Sequence, residues 1–449
     1  MDIDEDVGED VGSESSAPGN WMSLKTNPEE PIHSPVEGYQ LSGGSTIEPQ
    51  SAASEDISQI SPFTKALPVR EALEISRRDA TLVQHYAQSL GRWLDGTDPS
   101  RQFTLRIPQE VKHCPILLYA TLCFSARHLR DETIATQAYG SCISLLIERL
   151  NLNTATQDDD LLCGIVILRF YEQLNVPTAS GSDSESHLLG SAALLRDFPK
   201  RYVDPTAPTL REAAFWVYVK QCLYNATIDQ QPPNIDFSLQ LHPEPSSLQD
   251  SHPLARLRLE TAWANQMVWN CARVVNYCFD DGSERIPRFE RWKKLWDLVE
   301  LWGRERPASF DPIWEGRGSG KSAFPEIYFT ADWHVISFGF YHFAKILLLI
   351  YKPGPKFAMR KVKEKRSEED SQILTHGHAI CGSCKNAPNT VPSLITLCHT
   401  LFIWGPLLSD RAEQAELLEI LADFEKTQTW PTTWIMNALK KEWAVEGLP

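Results

Sequence analysis

From Phe63 onward the apolar residues recur every three or four positions, and this one pattern limits the chain to helices. Trp333, Ile336, Phe340, Phe343, Leu347 and Ile350 form one such stripe, and Ile143, Leu146, Ile147 and Leu150 form another. Ala264, Val268, Cys271, Val275 and Cys278 repeat the spacing, as do Phe289, Trp292, Trp296 and Val299, then Leu417, Ile420, Leu421 and Phe424. Side chains at this spacing return to one face of a helix, so each stripe is expected to pack against a neighbour. The expected fold class is all-α: an irregular multi-helix bundle of about a dozen or more helices with almost no sheet. No solenoid-like repeat is present. Breaks dense in Pro, Gly or charge fall at Pro199–Pro208, Gln231–Pro253, Pro307–Pro325 and Pro353–Asp370.

Residues 1–62 depart from this pattern and are expected to form a disordered acidic tail, with the helical body at 63–449. Ser, Gly, Pro, Asp and Glu dominate there, and too little apolar area exists to offset the cost of ordering a backbone. Thirteen acidic residues against the single Lys25 leave −12 in the tail, so only −4 of the chain's −16 remains for the body. Trp21, Leu24, Tyr39 and Ile47 would allow partner-induced ordering, although such sparse apolar residues suit a solvating tail better. A near-neutral body offers no basic stripe for phosphates, which argues against direct nucleic-acid binding.

The ten Cys are scattered, several within apolar stripes (Cys123, Cys163, Cys271, Cys278), where a free thiol acts as a small hydrophobe and points to a reducing compartment. The opening residues MDIDEDVGED are the reverse of a secretory signal, so the nucleus is expected, with the cytoplasm as the alternative. Val335–Tyr351 is interrupted by His342 and Lys345 and reads as too short to cross about 30 Å of hydrocarbon, so no membrane partner is expected. Arg360, Lys361, Lys363, Lys365 and Arg366 form a clustered basic run, the candidate nuclear-import signal, set against the plainer reading of a solvated loop.

Six segments, in order, carry a family likeness. The first runs from Cys114, Pro115, Ile116, Leu117, Leu118, Tyr119 and Ala120 to Phe124, Ser125, Ala126, Arg127, His128 and Leu129. Tyr139 with Leu145 and Leu146 follows, then Asp158, Asp159, Asp160, Leu161 and Leu162 leading to Leu168, Arg169, Phe170, Tyr171 and Glu172. In that third segment Asp residues suit the free N–H groups of a first helical turn, and Ile165 and Leu168 extend the buried face. The fourth is His187, Leu188, Leu189 and Gly190 with Leu194 and Leu195; the fifth is Arg211–Trp216 through Gln221 to Pro232. The sixth joins Ala379, Ile380, Cys381 and Gly382 to Trp430, Pro431 and Thr432. Together, over about residues 70–443, these segments resemble the fungal-specific transcription factor domain, the regulatory region of fungal binuclear zinc-cluster factors. The resemblance implies a non-enzymatic transcriptional regulator of a metabolic or biosynthetic gene set. Its implied partners are proteins, as a homodimer or as a heterodimer with a zinc-cluster factor.

One departure matters for mechanism. The family's cluster needs six Cys within about 30 residues to give two zinc ions their thiolates, and no Cys precedes Cys114. Regulation through a DNA-bound partner, without direct sequence-specific DNA contact by this chain, is therefore expected; a cluster encoded upstream of Met1 and a different role for the domain are the alternatives.

Other constellations weigh less. His376, His378, Cys381, Cys384, Cys398 and His399 include one CxxC but no second pair, and Cys381 and Cys384 sit one helical turn apart on an expected core face, so no metal is assigned. Gly316–Ser322 imitates a phosphate loop, but Glu315 occupies the position of the first Gly and no hydrophobic strand leads in, so a flexible loop is expected. Asp280, Asp281 and Glu284 fit the DDxxE of all-α terpene synthases, a remote alternative because residues 400–449 lack the second magnesium-binding cluster. A cytoplasmic ligand- or protein-binding module is the nearer alternative. No catalytic residue and no cofactor are nominated.

Overall fold

The computed structural model describes residues 72–152, 154–176, 186–195, 201–248, 252–280, 286–318, 320, 322–354 and 367–446. The expected tail at 1–62 lies outside them, as do Arg360, Lys361, Lys363, Lys365 and Arg366 of the basic run, and Asp281 and Glu284 of the DDxxE match.

The chain enters its helical body at Ser76, whose hydroxyl accepts from the Asp79 backbone N–H at 3.2 Å while the Asp79 carboxylate takes the Ser76 N–H. This reciprocal cap starts α1 (Arg77–His85), which passes through a π-helical turn at Tyr86–Leu90 into α2 (Gly91–Leu94). Short helices α3 (Gln102–Leu105) and α4 (Ile107–Glu110) lead to α5 (Pro115–His128), α6 (Glu132–Leu150), α7 (Asp159–Leu174), α8 (Ser186–Leu195) and α9 (Leu210–Asp229). Beyond these come α10 (Pro253–Phe279), α11 (Arg288–Glu305), α12 (Asp332–Ile350), α13 (Glu368–Lys385), α14 (Val391–Trp404), α15 (Arg411–Gln428) and α16 (Thr433–Glu446). Side-chain oxygens accept the orphan N–H groups at six starts, from Ser76, Asp131, Asp158, Thr209, Ser367 and Asp410, so the boundaries follow the local chemistry of the sequence.

Sheet is confined, among the described residues, to two pairs. β1 (Tyr202–Val203) lies parallel to β2 (Gln240–Leu241), and β3 (Trp314–Gly316) lies antiparallel to β4 (Glu326–Tyr328). The phosphate-loop imitation is thus the link of a small hairpin. The strand before it, Trp314–Gly316, is short and largely exposed, not a hydrophobic strand, and among the described residues no helix follows it before Asp332 to present N–H groups to a phosphate.

α10, with 27 residues, is about 40 Å long and packs against α9, α11 and α12, while α12 also packs against α13 and α14; α5 lies against α6 and α7. One apolar core runs through these contacts and buries Trp216, Trp404, Trp430, Phe124, Phe340 and Phe343. The α10 stripe is buried throughout, as expected. Three stripes are only partly covered, that of α12 at its last residue, Ile350. Leu146 is buried, but Ile147 and Leu150 of the same series face solvent, and so does Phe289 at the start of α11. A period of three to four fixes which residues share a face, but a stripe wider than the neighbour's footprint leaves its edge uncovered.

α12 corrects a second expectation. It begins at Asp332 and has 19 residues, enough by length and hydropathy to cross a bilayer, yet most of it is buried between α10, α13 and α14. Lys345 within it ion-pairs with Glu300 and lies 3.3 Å from the centre of the Trp296 ring, so its charge is met by protein. All ten Cys are buried, in helices or at a helix cap.

Candidate functional site

Three of the motif segments meet at a buried set of charges. α7 carries Arg169 and Glu172 one turn apart, α8 brings His187, and α9 brings Asn225. Arg169 has no exposed surface, and its two terminal nitrogens donate to Glu172 at 2.9 Å and to Asn225 at 2.7 Å. The second Glu172 oxygen lies 2.6 Å from His187 Nδ1 and also faces the His187 backbone N–H at 3.3 Å. Burial alone would raise the Glu172 carboxyl, but the hydrogen bonds and charges of His187 and Arg169 more than offset it and hold it below the usual carboxylate range. A buried guanidinium is tolerable only with such partners, because each unpaired charge in a low-dielectric interior costs several kcal/mol.

The neighbouring motif residues are ties of the same kind. Arg211, at the start of α9, donates to Asp159 at 2.8 Å and to the Thr156 carbonyl at 2.7 Å, which joins it to the first turn of α7. Gln221 donates to the Val166 carbonyl at 3.1 Å. Arg127 closes the C-terminal end of α7 through the Leu174 carbonyl at 2.8 Å and ion-pairs with Glu132. His128 contacts His85 at 3.1 Å, and its carbonyl accepts from Thr429 at 2.9 Å, linking the first motif to the last. Burial and the neighbouring His85 bring the His128 imidazole down to about 4.

A second polar cluster, which sequence reasoning missed, sits where the α2–α3 turn meets α9. Asp95 accepts the Phe103 and Thr104 N–H groups at 2.9 and 2.7 Å, and Asp98 accepts those of Ser100 and Gln102, both at 2.8 Å. Lys220 donates to Thr97 at 3.0 Å, and Asn265 spans to the Thr97 and Pro205 carbonyls. Burial, with the Asp98 charge nearby, pushes the Asp95 carboxyl up to about 7. Burial brings the Lys220 ammonium down to about 8, against the pull of Asp95 and Asp98. The only local hint was a dense Asp-Gly-Thr-Asp turn; its burial depends on helices more than 100 residues away.

Between these clusters lies a small chamber of about 30 Å³ walled by Trp93, Phe170, Tyr224 and Phe340. Gln173 Oε1, Gln221 Oε1 and His399 Nδ1 line it with no protein partner. Burial brings His399 down to about 3, so its ring is neutral at pH 7. Bundle interiors commonly hold apolar effectors, and this one has the aromatic walls, but its volume is on the scale of one or two water molecules.

The weaker candidates are dispersed. Cys381, Cys384 and Cys398 are buried thiols, His376 pairs with His342 at 2.8 Å, His378 faces Glu413 at 3.4 Å and His399 packs edge-on against Phe343. Among the described residues no three His, Cys, Asp or Glu side chains come together as a metal site. Asp280 is held by Arg291 at 3.0 Å.

Residues 81–244 match the family model of the fungal specific transcription factor domain. The chain is 23% identical, over 81% of its length, to the transcription activator AMTR1 of Alternaria alternata, and it spans 63% of that relative's length. No solved structure matches it. The matched stretch contains the first five motif segments and the whole of the Arg169, Glu172, His187 and Asn225 set; the sixth segment lies beyond it. Residues 81–244 are thus similar to the fungal specific transcription factor domain, the same family that the motifs resemble.

Proposed function

We propose that this protein regulates transcription through contacts with other proteins and does not itself read DNA. The observation that carries the reading is the match of residues 81–244 to the transcription factor domain, together with the likeness to a fungal transcription activator. Charge supports the indirect route. Residues 63–449 are close to neutral and the first 62 are strongly acidic. A second copy of the chain or a zinc-cluster factor would bring it to a promoter, and the basic run Arg360, Lys361, Lys363, Lys365 and Arg366 would direct it to the nucleus.

Two measurements test this. The chain tethered to a reporter promoter through an unrelated DNA-binding domain should change reporter output, whereas the purified chain alone should not shift promoter DNA at about 0.15 M salt. A tagged copy should accumulate in the nucleus and lose that localisation when the five basic residues are neutralised. Strictly cytoplasmic localisation defeats the transcriptional reading, and tight sequence-specific binding by the isolated chain defeats the indirect mechanism.

A further inference from the structure

A large cleft that combines aromatic walls with a cation unpaired among the described residues lies beyond the matched segment, between α10, α11 and the stretch around β2. Its volume is about 720 Å³, within the range of sites that hold small organic molecules. Trp263, Gln266, Asn270 and Arg273 project from one face of α10, and Leu298, Leu301 and Trp302 oppose them from α11.

Two polar groups in this cleft lack what their surroundings normally supply. Asn270 is 3% exposed, and its side-chain amide nitrogen has no hydrogen-bond partner, which is a costly state for a buried donor. Arg273, one turn along, is half-buried, and among the described residues no carboxylate lies within ion-pair distance of it. Its burial lowers the guanidinium from its ordinary value without any acidic neighbour pulling the other way, yet an arginine remains charged at pH 7. The donors thus point to an anion that is not part of this chain's described residues.

The walls define the rest of that molecule. Trp302 Nε1 is already spent on the Trp263 carbonyl at 2.9 Å, so that indole offers its apolar surface and is held in place. Trp269 is 5% exposed and fixed by Phe237 and Phe215, with ring centres 5.5 and 6.1 Å away. Glu244 and Glu305 stand exposed at the mouth, where they repel a multiply charged anion more strongly than a singly charged one.

We infer that this cleft binds a small organic monocarboxylate, with Arg273 and the Asn270 amide on the carboxylate and the Trp263, Trp269 and Trp302 walls around an apolar or aromatic body. A planar guanidinium matches two carboxylate oxygens, and a neighbouring amide donor fixes the orientation of the pair. The site does not depend on the transcriptional reading, because it concerns only what α10 and α11 present.

Calorimetric titration of the full-length chain with sodium 2-naphthoate tests the inference, with 2-naphthamide as the neutral analogue and inorganic phosphate as competitor. Saturable one-to-one binding of naphthoate is expected. Arg273→Gln should weaken it by about tenfold or more, as loss of a hydrogen-bonded charge pair requires, while Arg304→Gln on the exposed face of α11 leaves it unchanged. Naphthamide should bind the native chain about as weakly as naphthoate binds Arg273→Gln, a comparison that needs no variant to fold. Absence of saturation up to about 1 mM naphthoate overturns the proposal. Equal binding of naphthoate and naphthamide, an unchanged affinity in Arg273→Gln, or displacement by equimolar phosphate overturns it as well.

Discussion

Replacing Glu172 by Gln isolates the charge that holds α7, α8 and α9 together. Arg169 has no exposed surface and Glu172 is 7% exposed, so water cannot screen or replace the lost carboxylate. Breaking a buried pair from one side typically costs about 3–5 kcal/mol, because the remaining charge is left without compensation. Gln keeps the shape and one acceptor, so about 1 kcal/mol of hydrogen bonding survives, and the net cost should be about 2–4 kcal/mol. Equilibrium urea denaturation at pH 7, followed by far-UV circular dichroism and tryptophan fluorescence together, reads this directly. Adding Arg169→Met should recover part of the loss, with a coupling energy of about 2 kcal/mol, since the orphaned charge is gone. The pH dependence supplies a second check. The Glu172 carboxyl is held below its ordinary value in the folded chain, so the stability it contributes is complete above about pH 4.3 and is lost as pH falls through the depressed value. The gap between native and Glu172→Gln should therefore be constant from pH 7 to about 5 and close in stronger acid. A cost under about 1 kcal/mol at pH 7, or a gap that does not narrow in acid, refutes the account of this network as a charge-stabilised tie.

Asp95, pushed up to about 7, holds its proton more tightly folded than unfolded, so its effect on stability declines as pH rises from about 4 to 7; the native chain minus Asp95→Asn should show that downward slope in a pH series of melts. The His342 and His376 pair, 2.8 Å apart between α12 and α13, is held neutral by burial, and His376 is brought down to about 4. Its effect on stability should be flat above about pH 6.5 and fall as pH drops toward 4, a loss that His376→Gln reduces in the same melts. Trp430 has no exposed surface and sits among Trp93, Tyr224 and Phe424, while its indole N–H has no partner. Trp430→Ala should cost about 3–5 kcal/mol by denaturation, and Trp430→Phe less than half of that, because Phe keeps most of the packing and removes the unpaired donor.

The helical class, the interhelical breaks and most packing faces were legible from spacing alone, because one period and a few Pro-rich links set them. Asp158 was legible as a cap for the same local reason, and it accepts from the Leu161 N–H at 3.0 Å. The ties between helices were not. Arg169 reads as one polar residue in an apolar run, and nothing nearby in sequence identifies Asn225, 56 residues on, as its partner. Asp95, Lys220 and Arg273 were invisible for a related reason: whether a charge is solvated, paired or stranded is decided by which distant helix covers it. Ile147 failed in the opposite direction, since its spacing is that of a core residue but the described residues leave more than half of it exposed.

The position of the likeness within the structure bears on what it transmits. Its motif residues Arg169, Glu172 and His187 are buried and turned toward one another, and the buried Gln221 ties α9 to the Val166 carbonyl of α7, so what they specify is the packing of α7, α8 and α9. A partner meets none of them. What a second protein or a small molecule can touch lies on other residues: the exposed Ile147, Leu150 and Leu152 at the end of α6, Leu254, Phe289, Ile313 and Trp314 beyond residue 244, and the cleft at Arg273. Two chains can therefore share the buried set and differ in every contact that selects a gene or a ligand, because substitutions at exposed positions typically change stability by no more than about 0.5 kcal/mol. Identity of 23% to an activator is compatible with a common scaffold and a different target. Exchanging the exposed residues of α10 and α11 between such relatives should move ligand response without moving the denaturation midpoint, whereas exchanging Arg169 or Glu172 alone should do the reverse.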